Sequence, residues 1–61
     1  QSAQAQEIIE ELPEQQRMVL TLYYSEDLRL KEIGRVLNLS ESRISRILSK
    51  AESQIRHALN S

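Results

Sequence analysis

Leu30-Lys31-Glu32-Ile33-Gly34-Arg35-Val36-Leu37-Asn38-Leu39-Ser40-Glu41-Ser42-Arg43-Ile44-Ser45-Arg46-Ile47-Leu48-Ser49 is the stretch whose reading decides the fold. Two helices that meet at a steep angle need a small residue where their backbones approach, and Gly34 supplies it. A glycine inside a helix costs about 1 kcal/mol relative to alanine, so close packing is the physical reason to keep one there. The tight turn between the helices needs a residue that tolerates positive φ, which Asn38 does. Leu39 then tucks between the helices, and Ile44 and Ile47 follow at the spacing that seats the second helix on the first. Small residue, left-handed residue, turn leucine and two core isoleucines fall in one register, the pattern of a helix-turn-helix over about 30–49. A plain structural hairpin is the alternative.

The outward positions decide between the two. From the start of the second motif helix, Glu41, Ser42, Arg43, Ser45, Arg46 and Ser49 face away from the apolar stripe. A merely solvated helix carries Glu and Lys in i, i+4 pairs. Short hydrogen-bonding residues interleaved with arginines instead suit base edges and phosphates. The N-terminal residues of a major-groove helix reach the bases, so Glu41, Ser42 and Arg46 are the expected base readers. Arg46 has the fork for a bidentate guanine contact, and Glu41 can accept from cytosine N4. Lys31, Arg35, Arg43, Ser45 and Lys50 are the expected backbone contacts.

Working outward, the recognition helix extends over about 40–59. Its Ile44, Ile47, Leu48, Ala51, Ile55 and Leu59 form one unbroken stripe, and Ser40 is its N-cap. The preceding helix spans about Arg29 to Leu37, with Leu30, Ile33 and Leu37 on one face. Upstream, Ile8, Ile9 and Leu12 recur at helical spacing from about Ala3 to Leu12, where Pro13 ends the helix. The same proline suits the first turn of the next helix, which runs to about Tyr24, with Glu14 complementing its dipole. Met18-Val19-Leu20-Thr21-Leu22-Tyr23-Tyr24 is apolar enough for a buried strand, but nothing else alternates with period two to pair with it. It reads as the central helix of a bundle. Ser25-Glu26-Asp27 is the turn after it. The expectation is one all-α domain over 1–61, four helices in a bundle-like arrangement with a C-terminal helix-turn-helix.

Composition agrees. With one glycine, one proline, no cysteine, no Phe and no Trp in 61 residues, there is little turn chemistry for hairpins and no disulfide or thiolate staple. No apolar run reaches the roughly 18 residues of a membrane span, and the polar start is unlike a signal peptide. The chain opens on Gln, so it reads as a piece of a longer polypeptide, with a cytoplasmic location expected. Net charge is −1, yet its distribution is uneven. Residues 1–28 hold six acids and one base, a balance of −5, whereas residues 29–61 hold seven bases and three acids, a balance of +4. A polyanion partner for the second half and a different partner for the first follow from that asymmetry.

Catalysis finds no foothold. His57 is the single histidine and stands off the apolar stripe, and there is no Gly-rich phosphate loop, metal-ligand cluster or nucleophile–base pair. Neither enzyme activity nor a cofactor is expected.

The chain resembles region 4 of bacterial RNA polymerase sigma factors from about Glu7 to Leu59. The resemblance is carried by Leu12-Pro13-Glu14, by Leu22-Tyr23-Tyr24 with Glu26, Leu28 and Leu30-Lys31-Glu32-Ile33-Gly34, by Leu39-Ser40-Glu41-Ser42-Arg43-Ile44-Ser45, and by Lys50-Ala51. The Tyr-Tyr…Leu-Lys-Glu-Ile-Gly and Ser-Glu-Ser-Arg-Ile-Ser strings look most like the flagellar branch. What the resemblance implies is binding of the minus-35 promoter element and docking on the flap of the polymerase β subunit. It also implies restraint by a dedicated anti-sigma factor. By the same resemblance Glu41, Ser42 and Arg46 match base-reading positions, and Arg43 and Lys50 match backbone-gripping ones. The acidic, apolar first half, with Ile8, Ile9, Leu12, Tyr23 and Tyr24, matches the side that faces polymerase or inhibitor. Arg29 and Arg46 depart from the Thr, Ser or Asn and the Gln common at those positions. Two alternatives remain open at this point: the output domain of a two-component regulator, and a protein-interaction module bound by an anti-sigma factor.

Overall fold

A computed structural model describes residues 2–60; Gln1 and Ser61 of the expected domain lie outside the described residues. Helix α1 spans Ser2–Glu10 and α2 spans Glu14–Leu20, which runs on into a π-helical turn, Thr21–Ser25. Helix α3 spans Leu30–Leu37 and α4 spans Glu41–Asn60. No strand occurs among the described residues, so Met18–Tyr24 is helical as its periodicity requires. No helix is long and apolar enough to cross a membrane.

Local chemistry explains each boundary. Helix α1 stops two residues short of the expected Leu12. The N–H groups of Glu11 and Leu12 close tight i→i−3 bonds on Ile8 and Ile9, at 3.1 Å each. Arg17 then donates to the carbonyl of Glu10 at 3.2 Å, placing a cation on the negative end of α1. Pro13 is the N-cap of α2, with φ −53° and ψ 148°, one residue earlier than the first-turn placement expected. Its carbonyl accepts the Arg17 N–H.

The end of α2 differs most from expectation. The Glu26 N–H reaches back five residues to Thr21, at 3.1 Å, and widens the last turn. Asp27 then takes φ 58°, and the Leu28 N–H closes on Leu22 at 3.0 Å. This is a Schellman-like ending in which aspartate rather than glycine occupies the left-handed position. It turns Leu28 back toward the core, where it is half-buried.

Helix α4 is the common partner, packing against α1, α2 and α3. The core consists of Val19, Leu20, Ile33, Ile44, Ile47, Leu48 and Ala51, with Val19, Ile33, Ile44 and Ala51 wholly buried. Ile9, Leu12, Leu22, Tyr23, Leu28, Leu30, Leu37, Leu39 and Ile55 pack around it. A domain of 61 residues has about 3–9 kcal/mol of stability in total, so each buried isoleucine matters.

Candidate nucleic-acid interface

The interface is built on the turn between α3 and α4. Asn38 adopts φ 60° and ψ 45°, as its side chain permits, and its N–H bonds to the Gly34 carbonyl. That carbonyl also accepts from Leu39, at 2.8 Å. Gly34 itself has no positive φ. Its requirement is space: a Cβ there would stand 2.5 Å from the Leu39 carbonyl oxygen. The turn is therefore clasped onto the bare backbone of α3.

Ser40 fixes where α4 begins. Its Oγ accepts the Arg43 N–H at 3.1 Å and lies 3.3 Å from the Ser42 hydroxyl, while its carbonyl accepts from Ile44. The start of α3 is capped differently. Arg29 has no acceptor to offer, but the Glu32 carboxylate receives the Arg29 N–H at 2.8 Å, half of a capping box. Arginine in place of a hydroxyl residue at 29 is thus accommodated by the glutamate three residues on.

At about 100° per residue, the Ile44–Ile47–Leu48–Ala51 stripe that α4 buries leaves Ser42, Arg46 and Ser49 pointing directly away from the core. Arg43 and Lys50 flank that outward line on one side, Glu41 and Ser45 on the other. All seven are exposed. Among the described residues none of them forms an ion pair, so no acid there neutralises Arg43, Arg46 or Lys50. The three cations line one notch of about 280 Å³ between α4 and the first turn of α2, together with Gln15, Gln16 and Ile47. Lys31 and Arg35 are exposed on α3, outside that notch.

Gln16 was not visible as special from residue type, yet it is only 9% exposed and its Oε1 is buried without a hydrogen-bond partner. The signal available was its position: Gln16, Val19 and Leu20 share the i, i+3, i+4 spacing of a core face.

On the other surfaces, Ile9, Leu12 and Tyr23 are half-buried and packed against the core, and Ile8 is half-buried. Tyr24 stays 62% exposed, its ring edge-on to Tyr23 with centroids 4.9 Å apart. Its hydroxyl donates to Glu52 on α4. That bond raises the Tyr24 pKa above its ordinary 10.0, with desolvation and the Glu52 charge adding to the effect. Met18 and Val36 are exposed apolar residues that the sequence reading assigned to no surface. They flank a groove between α2 and α3 that also includes Leu22 and Leu37.

Comparison with known proteins converges on one family. The sigma-70 region 4 profile matches residues 8–57. The chain is 57% identical over 54 residues to the RNA polymerase sigma factor FliA of Yersinia enterocolitica, covering 88% of this chain and 24% of that protein. It is 55% identical over 53 residues to FliA of Escherichia coli K12, covering 87% of this chain and 22% of the relative. It is 53% identical over 57 residues to the RNA polymerase sigma-D factor of Bacillus subtilis, covering 93% and 22%. The chain thus spans about a quarter of the length of these relatives. No solved structure matches it. The left-handed Asn38 turn, the Ser40-capped α4 and a match that runs across all four helices agree: the chain belongs to the sigma-70 region 4 family.

Proposed function

We propose that the chain is the promoter-reading domain of an alternative, flagellar-type sigma factor, and that α4 enters the major groove of the minus-35 element. The observation that carries this reading is the exposed polar face at the start of α4, where Ser42, Arg46 and Ser49 project outward and Arg43 and Lys50 stand beside them. Arg46 and Ser42 read base edges, with Glu41 at the rim, while Arg43, Ser45 and Lys50 hold phosphates and Lys31 and Arg35 add to the basic field. The domain reads one short element as a monomer.

The polymerase and inhibitor contacts belong to the remaining apolar surface. Met18 and Val36, at 42% and 61% exposure, and Tyr24 with Leu59, at 62% and 43%, are the exposed large hydrophobics among the described residues. We assign these two patches to the β-subunit flap and to an anti-sigma factor, rather than Ile9, Leu12 and Tyr23, which the core already covers in part.

Selection of bound duplexes from a randomised pool at low salt tests the DNA reading. Enrichment of one short, non-palindromic motif is expected. A flat pool with wild-type chain, repeated with a holoenzyme that contains it, refutes sequence reading by this domain.

A further inference from the structure

A carboxamide oxygen buried without a donor gives up the hydrogen bonds it makes in water and gains none in return. Gln16 carries such an oxygen in a domain with little stability to spare. Its surroundings supply a reason. The recess that Gln16 lines holds Arg43, Arg46 and Lys50 and no acid. Every cation there is a donor, and among the described residues none of them has an ion-pair partner.

We infer that Gln16 is a positioning residue for Arg43: its Oε1 receives one guanidinium N–H when α4 lies on DNA, and this aims the rest of the guanidinium at a backbone phosphate. This rests on the DNA-binding reading above. Three considerations single out Arg43. Ile47 is the α4 core residue that borders Gln16 in the recess. At about 100° per residue, Arg43 lies some 40° from Ile47 around the helix, Lys50 some 60° and Arg46 some 100°. Arginine also offers five donors in a planar fork, so one edge can serve the amide while another serves phosphate. The guanidinium is more weakly hydrated than an ammonium and enters a half-buried notch more readily than Lys50 does. The arrangement ties the first turn of α2 to the reading helix through a group that touches DNA.

A double-mutant cycle decides the matter. Gln16→Met keeps the length and apolar stem of the side chain and removes both polar atoms. It is expected to hold or raise the melting temperature, because an unpartnered buried oxygen is gone. Its affinity for DNA is expected to fall about fivefold, within the range of coupled neighbours. The loss is expected to be equal on preferred and scrambled duplexes, since a phosphate contact carries no sequence information. In an Arg43→Ala background Gln16→Met has no further effect, whereas in Lys50→Ala and Arg46→Ala backgrounds its full effect remains. Gln16→Glu retains an acceptor for Arg43 and keeps the coupling that Gln16→Met abolishes. Losses that add in the Arg43→Ala background, or a fall in melting temperature that accounts for the weaker binding, overturn the inference alone. Failure of the wild-type chain, alone and within a holoenzyme that contains it, to bind any duplex overturns the DNA reading, and this inference with it.

Discussion

Replacing Gly34 with alanine sets two physical effects of opposite sign against each other. In an exposed helix interior the change stabilises by about 1 kcal/mol, because alanine restricts the unfolded chain and favours the helix. Here the new Cβ would meet the Leu39 carbonyl oxygen at 2.5 Å, with the Leu39 and Ser40 carbonyl carbons at 3.5 Å. All three atoms are backbone, so no rotamer relieves the contact. Relief requires the turn to lift by several tenths of an ångström, which stretches the 2.8 Å bond from Leu39 to Gly34. Overpacking of this kind costs roughly 1–3 kcal/mol. Each weakened backbone bond adds about 1 kcal/mol. Setting these against the propensity gain leaves a net destabilisation of about 1–3 kcal/mol. For a domain this small that lowers the melting temperature by roughly 5–25 °C. Thermal and urea denaturation followed by far-ultraviolet circular dichroism would measure it. A neutral or stabilising Gly34→Ala would refute the claim that close approach, rather than any other property, selects glycine at this position.

Four further substitutions test separate parts of the structure. Ser40→Ala removes the acceptor for the Arg43 N–H and is expected to cost about 1 kcal/mol in urea denaturation, whereas Ser40→Asp holds stability. Asp27→Gly relieves a left-handed aspartate and is expected to stabilise by up to about 1 kcal/mol, which the same titration checks. Tyr24→Phe tests the hydroxyl bond to Glu52. Because folding raises the Tyr24 pKa, that contribution is complete below the ordinary 10.0 and disappears as pH climbs through the folded value. Wild type is therefore expected to lose stability above pH 10.0 more steeply than Tyr24→Phe, by well under about 1 kcal/mol at so exposed a site. Lys50→Ala is expected to weaken binding to every duplex alike and to reduce the salt slope by about one unit in fluorescence titrations; loss confined to one base pair would contradict a phosphate role.

Much of the fold is legible in sequence because its decisive features are local. Asn38 and Ser40 act on groups within five residues of themselves, and Gly34 meets a turn only five residues on, so residue type and spacing suffice to place them. The ending of α2 is different. Ser25-Glu26-Asp27 contains no glycine, and nothing in it announces a left-handed aspartate or a widened π turn. The closure is imposed by Leu28, which must reach the core, and that demand comes from tertiary packing. Gln16 escaped for a related reason: its chemistry says surface while its spacing says core, and spacing prevailed. The apolar run from Met18 to Tyr24 shows that the central helix is covered, but not which flank stays open. That depends on where α3 leaves Met18 and Val36 without a neighbour.

Helix α4 has 20 residues and is about 30 Å long at 1.5 Å per residue, close to the 33 Å long dimension of the domain and well beyond its other extents of 19 and 16 Å. One continuous rod therefore runs from the exposed Ser42 at its start to the α1 packing near its end. A rod has no hinge with which to absorb a change of heading. On the DNA-binding reading proposed above, whatever grips α1 or the Tyr24–Glu52 clasp fixes, with the same grip, the compass bearing at which Ser42 and Arg46 meet a duplex. On that reading a partner on the far end governs promoter engagement by orientation alone, without covering Ser42 or Arg46.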